Sequence, residues 1–97
     1  MPIRVLIEFR AKPGMRATLL QALDEHVAAH GQDVVGYLGS TRYEPIDQPD
    51  HLVEIAEWES VQAHRDHVSK ALAAGTFAPI LELTAAPLKV TVLQPLE

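Results

Sequence analysis

The chain has 97 residues, 13 acidic against 8 basic, a formal net charge of −5 and no cysteine. That length predicts one domain, residues 1–97, with a single modest core, and the absence of cysteine excludes disulfides, thiolate catalysis and iron–sulfur ligation. No basic cluster interleaves with aromatics, and no apolar run approaches a secretory leader or a membrane span. The expectation is a soluble, cytoplasmic protein that binds neither nucleic acid nor membrane.

Ile3, Val5, Ile7 and Phe9 alternate with Arg4, Leu6, Glu8 and Arg10, which predicts a half-buried strand ended by the turn Lys12-Pro13-Gly14. From Met15 the positions Leu19, Leu20, Leu23 and Val27 follow helical spacing, with Gly31 where a C-terminal cap would stand. Val35 to Tyr43 alternates weakly around Gly36 and Gly39, predicting a bent strand. The loop Glu44 to Asp50 then joins it as a hairpin to a strand at Leu52–Trp58. Directly after the only tryptophan the period changes from two to a helical stripe of Val61, His64, Val68 and Leu72. Ser60 is the expected N-cap and Gly75 the stop. Phe77, Ile80 and Leu81 are spaced for a short helical turn that Pro79 keeps short, and Pro87 opens a last strand with Leu88, Val90 and Val92 alternating.

The order β-α-β-β-α-β is the ferredoxin-like pattern of the α+β class, one antiparallel sheet with both helices on a single face. Assigning Ile3/Val5/Ile7/Phe9, Val53/Ile55 and Leu88/Val90/Val92 to the covered face leaves Leu6, Leu52, Ala56, Trp58 and Leu93 on the other. Burying those against a second copy is the simplest remedy, so the pattern predicts a homodimer.

The chemistry-bearing residues gather around Trp58. A large aromatic ending a strand, followed by His64 and His67 one helical turn apart, sets a flat apolar wall beside two imidazoles able to carry a proton near neutral pH. Glu54 shares a strand face with Trp58; burial there would make it an acid or base, and the competing role is an ion pair with Arg4 or Arg42. Glu57 and Glu59 are expected to be solvated. His26 and His30 sit one turn apart, but Val27 occupies the place of a zincin glutamate and no third ligand follows, so no metal site is expected there. His51 falls in the predicted loop beside Asp50. No phosphate loop or nucleophile elbow is present.

A first strand ending in KPG, a GYLGSTRYEP strand, and EIAEWESVQAHRDH followed by TFAPIL together resemble the antibiotic biosynthesis monooxygenase (ABM) family over nearly the whole length. The most specific part is Trp58, Ser60 and His67, nine residues after the tryptophan. The resemblance implies a dimeric α+β barrel of ferredoxin-like units, each with a pocket between sheet and helices. It also implies oxidation of a hydroquinone, anthrone or polyketide-like aromatic by dioxygen, with no metal or flavin cofactor. On that reading His64 or His67 takes or relays a proton and Trp58 stacks on the substrate. Glu54 lines the cavity, while Phe77, Ile80 and Leu81 exclude water. A heme-degrading branch of the family resembles a site with an asparagine in the first strand, a tryptophan where His67 stands and an iron-ligating histidine where Phe77 stands; all three are missing, so that chemistry is not expected. A cofactor-free isomerase or cyclase, and a ligand-binding domain without catalysis, are the alternatives, and the sequence leaves open which histidine is the base and whether the Glu44–His51 loop reaches the partner.

Overall fold

The computed structural model describes residues 2–30 and 34–96. In chain order the elements are β1 (Ile3–Arg10), α1 (Arg16–His30), β2 (Tyr37–Tyr43), β3 (His51–Trp58), α2 (Val61–Ala74), α3 (Ala78–Leu81) and β4 (Lys89–Leu93). The strands form one sheet in the order β2-β3-β1-β4, and every pairing is antiparallel. This is the ferredoxin-like α+β arrangement, with α3 as a short addition before the last strand. The expected cap at Gly31 lies outside the described residues. No helix of the described residues is long and apolar enough to cross a membrane.

The register decides which side chains share a face. Ile3 pairs with Trp58, Val5 with Ala56, Ile7 with Glu54 and Phe9 with Leu52, and paired residues point to the same side. Leu52, Glu54, Ala56 and Trp58 are all buried there, whereas Val53 and Ile55 turn to the other face. The sequence reading had β3 inverted: Leu52, Ala56 and Trp58 belong to the helix-covered face and Val53 and Ile55 to the open one. Both faces of β3 carry apolar residues, so alternation alone does not fix its parity. What permits the observed parity is Arg42, directly opposite Glu54 on β2, which gives that buried carboxylate a counter-charge.

Two core clusters hold the helices to this face. Phe9, Leu52, Leu19, Leu23 and Ile80 join the sheet to α1 and α3, and Ile3, Val5, Ala56 and Trp58 pack with Val61 and Ala63 at the start of α2. The start of α2 is fixed by its own sequence: Ser60 Oγ accepts from the Ala63 amide at 3.1 Å, and at the far end Gly75 takes the left-handed conformation (φ 70°) that closes the helix. Gly36 is required for the approach to α2. Its φ is +85°, the Glu59 amide donates to its carbonyl at 2.8 Å, and a Cβ there would stand 2.6 Å from that of Ala63.

The loop between β2 and β3 folds back on its own chain. Arg16 pairs with Glu44 at 3.0 Å, the Gly14 amide donates to Asp50 Oδ1 at 3.0 Å, and the Ala11 amide donates to the Asp50 carbonyl at 2.8 Å. His51, expected in that loop, is instead the first residue of β3. After α3 the chain returns along the end of β1, where the Ala85 amide donates to the Arg10 carbonyl at 2.7 Å, and this return forms one wall of the space under the helices.

Candidate active site

Between the sheet and the three helices lies a cavity of about 850 Å³ with a mostly apolar wall. Its size suits a drug-sized or cofactor-sized molecule. All seven residues singled out from the sequence, Glu54, Trp58, His64, His67, Phe77, Ile80 and Leu81, stand in that wall. Ile80 also belongs to the core, and Leu81 is largely exposed at the rim. Leu72, the last residue of the α2 stripe, is likewise a rim residue rather than a core one.

The strand-to-helix corner sets the aromatic geometry. Trp58 is only 4% exposed, and the 3.6-residue period of α2 turns His64 and His67 toward it. The His64 ring centroid is 5.4 Å from the indole, edge-on, and that of His67 is 5.2 Å away at an interplanar angle of 34°. His67 also meets Phe77, at 6.2 Å in an edge arrangement, so it is bracketed by two aromatic side chains of the cavity. Tyr37 closes the other side of Trp58 at 5.3 Å.

The sequence reading weighs His26 only as a metal ligand and leaves it out of the site. Its ring lies 5.4 Å from Phe77 and 5.1 Å from His30, and it lines the same cavity as His67. The signal was present in the spacing, since His26 follows Leu19 and Leu23 on the buried stripe of α1. Among the described residues no group of three or more His, Asp or Glu side chains is arranged to hold a metal ion.

Electrostatics follow from this crowding. Burial, then the neighbouring His67, pushes the His64 imidazole below its ordinary value. Burial, then His30, does the same for His67, and burial followed by His30 and His67 does so for His26. All three are therefore favoured as neutral rings, able to accept a proton. Because the folded state lowers their affinity for protons, the unfolded chain binds more protons below the ordinary imidazole value near 6.5. The stability they contribute is complete above that pH and is lost as pH falls through their lowered values. The melting temperature is thus expected to drop between pH 7.5 and pH 5, with a shallower drop in a His64→Gln/His67→Gln variant; thermal denaturation across that range checks it.

At the other end of the floor Glu54 accepts from Arg42 Nε at 3.1 Å, and Arg42 Nη1 donates to Asp24 of α1. Of the two partners the sequence allowed for Glu54, Arg42 is the one found; Arg4 pairs instead with Glu57 on the open face. Burial alone would lower the Arg42 guanidinium, but the hydrogen bond it donates to Asp24 and the charge of Glu54 outweigh that and raise it above its ordinary value. It is a permanent cation.

The model of the antibiotic biosynthesis monooxygenase family matches residues 2–77. The chain belongs to that family. Solved structures agree in fold. An ABM-assigned protein from Bordetella bronchiseptica superposes with a TM-score of 0.86 at 20% identity, covering 99% of this chain and 98% of that one. Rv0793 from Mycobacterium tuberculosis gives 0.78 at 28% identity, covering 100% and 97%. SnoaB, a cofactor-independent oxygenase from Streptomyces nogalater, gives 0.82 at 14% identity, covering 99% and 94%. No curated protein matches the sequence. Membership in the ABM family supports a monooxygenase-type role for the chain.

Proposed function

We propose that this ABM-family protein is a cofactor-independent monooxygenase that oxidises an aromatic hydroquinone, anthrone or related polyketide-like substrate with dioxygen. The observation that supports it most is the pair of half-buried neutral imidazoles against the only tryptophan, inside an apolar cavity. We assign the base to His67, because it alone of the two is bracketed by Trp58 and Phe77.

The chemistry needs little more than deprotonation and desolvation. A neutral closed-shell aromatic reacts slowly with triplet oxygen, whereas its phenolate or enolate can donate one electron. On this reading His67 takes the proton, the anion passes an electron to dioxygen, and the radical pair combines into a carbon-bound peroxide. The imidazolium returns its proton to the outer oxygen. Loss of the remaining hydrogen from that carbon and cleavage of the O–O bond leave a new carbonyl and one water, so the two oxygen atoms and the two hydrogens of an anthrone methylene are accounted for. Trp58 supplies the stacking wall, and Phe77, Ile80 and Leu81 keep water from the intermediate. The likeness to SnoaB, an oxygenase described as cofactor-independent, supports the same chemistry.

Oxygen uptake by the purified, chelator-treated protein against a panel of anthrones and hydroquinones tests the reading. Consumption well above the spontaneous rate and lost in the His64→Ala/His67→Ala variant is the expected result. Equal conversion of the same compounds under nitrogen would assign an isomerase instead.

The open face of the sheet supports a homodimer as part of the same proposal. With β3 correctly placed, that face carries Leu6, Val53, Ile55, Tyr43 and Leu93, an apolar strip across all four strands. Ile55→Asp is expected to turn dimers into monomers at micromolar concentration, as light scattering behind a sizing column would show.

A further inference from the structure

The cavity floor has one polar place. Glu54 is 8% exposed, and it and Arg42 face a wall that is otherwise mainly hydrocarbon and aromatic. Their known bonds engage Glu54 Oε1 with Arg42 Nε, and Arg42 Nη1 with Asp24 Oδ1. Glu54 Oε2 and Arg42 Nη2 stand outside those two bonds, so the pair retains one strong acceptor and one strong donor. Asp24, on α1, accepts from the same guanidinium and helps to hold it in place.

We propose that Arg42 and Glu54 form the specificity end of this cavity, reading a phenolic hydroxyl and its neighbouring carbonyl on a neutral aromatic substrate. The inference rests on the cavity being the substrate site. Charge selects neutrality: one guanidinium against the two carboxylates of Asp24 and Glu54 leaves the cluster net negative, so an anionic substituent is repelled. Geometry selects length. Glu54 and Trp58 are four residues apart on one face of β3, roughly 13 Å at the usual strand rise, with the small Ala56 between them. A flat molecule lying over Ala56 reaches both ends when it has about three fused rings. The hydroxyl and carbonyl then meet Arg42 and Glu54, while the opposite edge of the middle ring and the unsubstituted outer ring reach toward Trp58, His64 and His67.

Trp58 is the only tryptophan, so its fluorescence reports occupancy without turnover. Three probes that are not substrates for oxidation are titrated: anthracene, a hydroxyanthraquinone with its hydroxyl beside the carbonyl, and an anthraquinone carboxylate. Arg42→Met is expected to weaken the hydroxyanthraquinone by about tenfold to a hundredfold and anthracene by no more than about twofold. Anthracene thereby verifies that the variant is folded. Glu54→Gln, which keeps an amide for Arg42 but removes one negative charge, is expected to bind the carboxylate probe several-fold more tightly than the unmodified protein. Equal losses for both neutral probes in Arg42→Met, no loss in either, no binding of the hydroxyanthraquinone at all, or no gain for the carboxylate in Glu54→Gln would each overturn the proposal. Oxygen uptake run alongside separates the two readings: uptake without this selectivity removes the recognition alone, and selectivity without uptake removes the oxygenase alone.

Discussion

His67→Ala is expected to lower oxygen-dependent turnover by about a hundredfold to ten-thousandfold, the usual range for loss of a positioned general base. On the proposed reading the substrate stacks on Trp58, which the substitution leaves in place, so binding of an unreactive aromatic should change far less than the rate. Among the described residues His64 meets Trp58 edge-on and has no second aromatic partner, and His64→Ala is expected to cost about tenfold. The pH profile of the intact protein adds an independent check. Burial and neighbouring histidines hold both rings below the ordinary imidazole value, so the rate should persist below pH 6.5 and fall only where His67 takes up a proton from solvent. A rate that follows His64→Ala but ignores His67→Ala would transfer the base to His64 and leave the reaction standing.

The second large effect is on stability. Arg42→Met leaves Glu54 buried without its counter-charge, and removal of one partner from a buried pair costs about 3 to 5 kcal/mol. For a chain of this size that corresponds to a drop of roughly 15 °C or more in melting temperature. The double variant Arg42→Met/Glu54→Met should recover much of the loss, because apolar residues of similar volume replace the pair without leaving a stranded charge. Thermal melts of the single and double variants check this. A double variant no more stable than Arg42→Met would show that Arg42 acts through Asp24 and α1 rather than through Glu54.

Much of the fold could be read from local chemistry. β1 alternates cleanly, and α2 carries both its caps, Ser60 and Gly75, in the sequence; each signal is complete within a few residues. The orientation of β3 was not legible because its decisive partner is distant: Glu54 can face inward only where Arg42 stands opposite it, and that pairing depends on the β2–β3 register. A register shift between Tyr37 and Gly39 further obscures the period of β2. The neighbourhood of Trp58 was visible from the change of period alone, since strand end and helix start are contiguous. His26 was hidden for the opposite reason. It reaches the cavity from α1, and only the packing of α1 and α3 on one face of the sheet brings it to Phe77.

Ile7, which lines the cavity, packs against both core clusters, so the space between sheet and helices borders the whole buried interior. A molecule bound there touches Phe9, Leu23 and Ile80 of one cluster and Ala56 and Trp58 of the other, so it extends the same buried interior. Ligand at a hundred times its dissociation constant adds about 2.7 kcal/mol to folding, enough to move a melting curve by more than ten degrees in a chain this short. Heat resistance is thus a readout of occupancy: a library of planar aromatics can be ranked by it before any of them is oxidised.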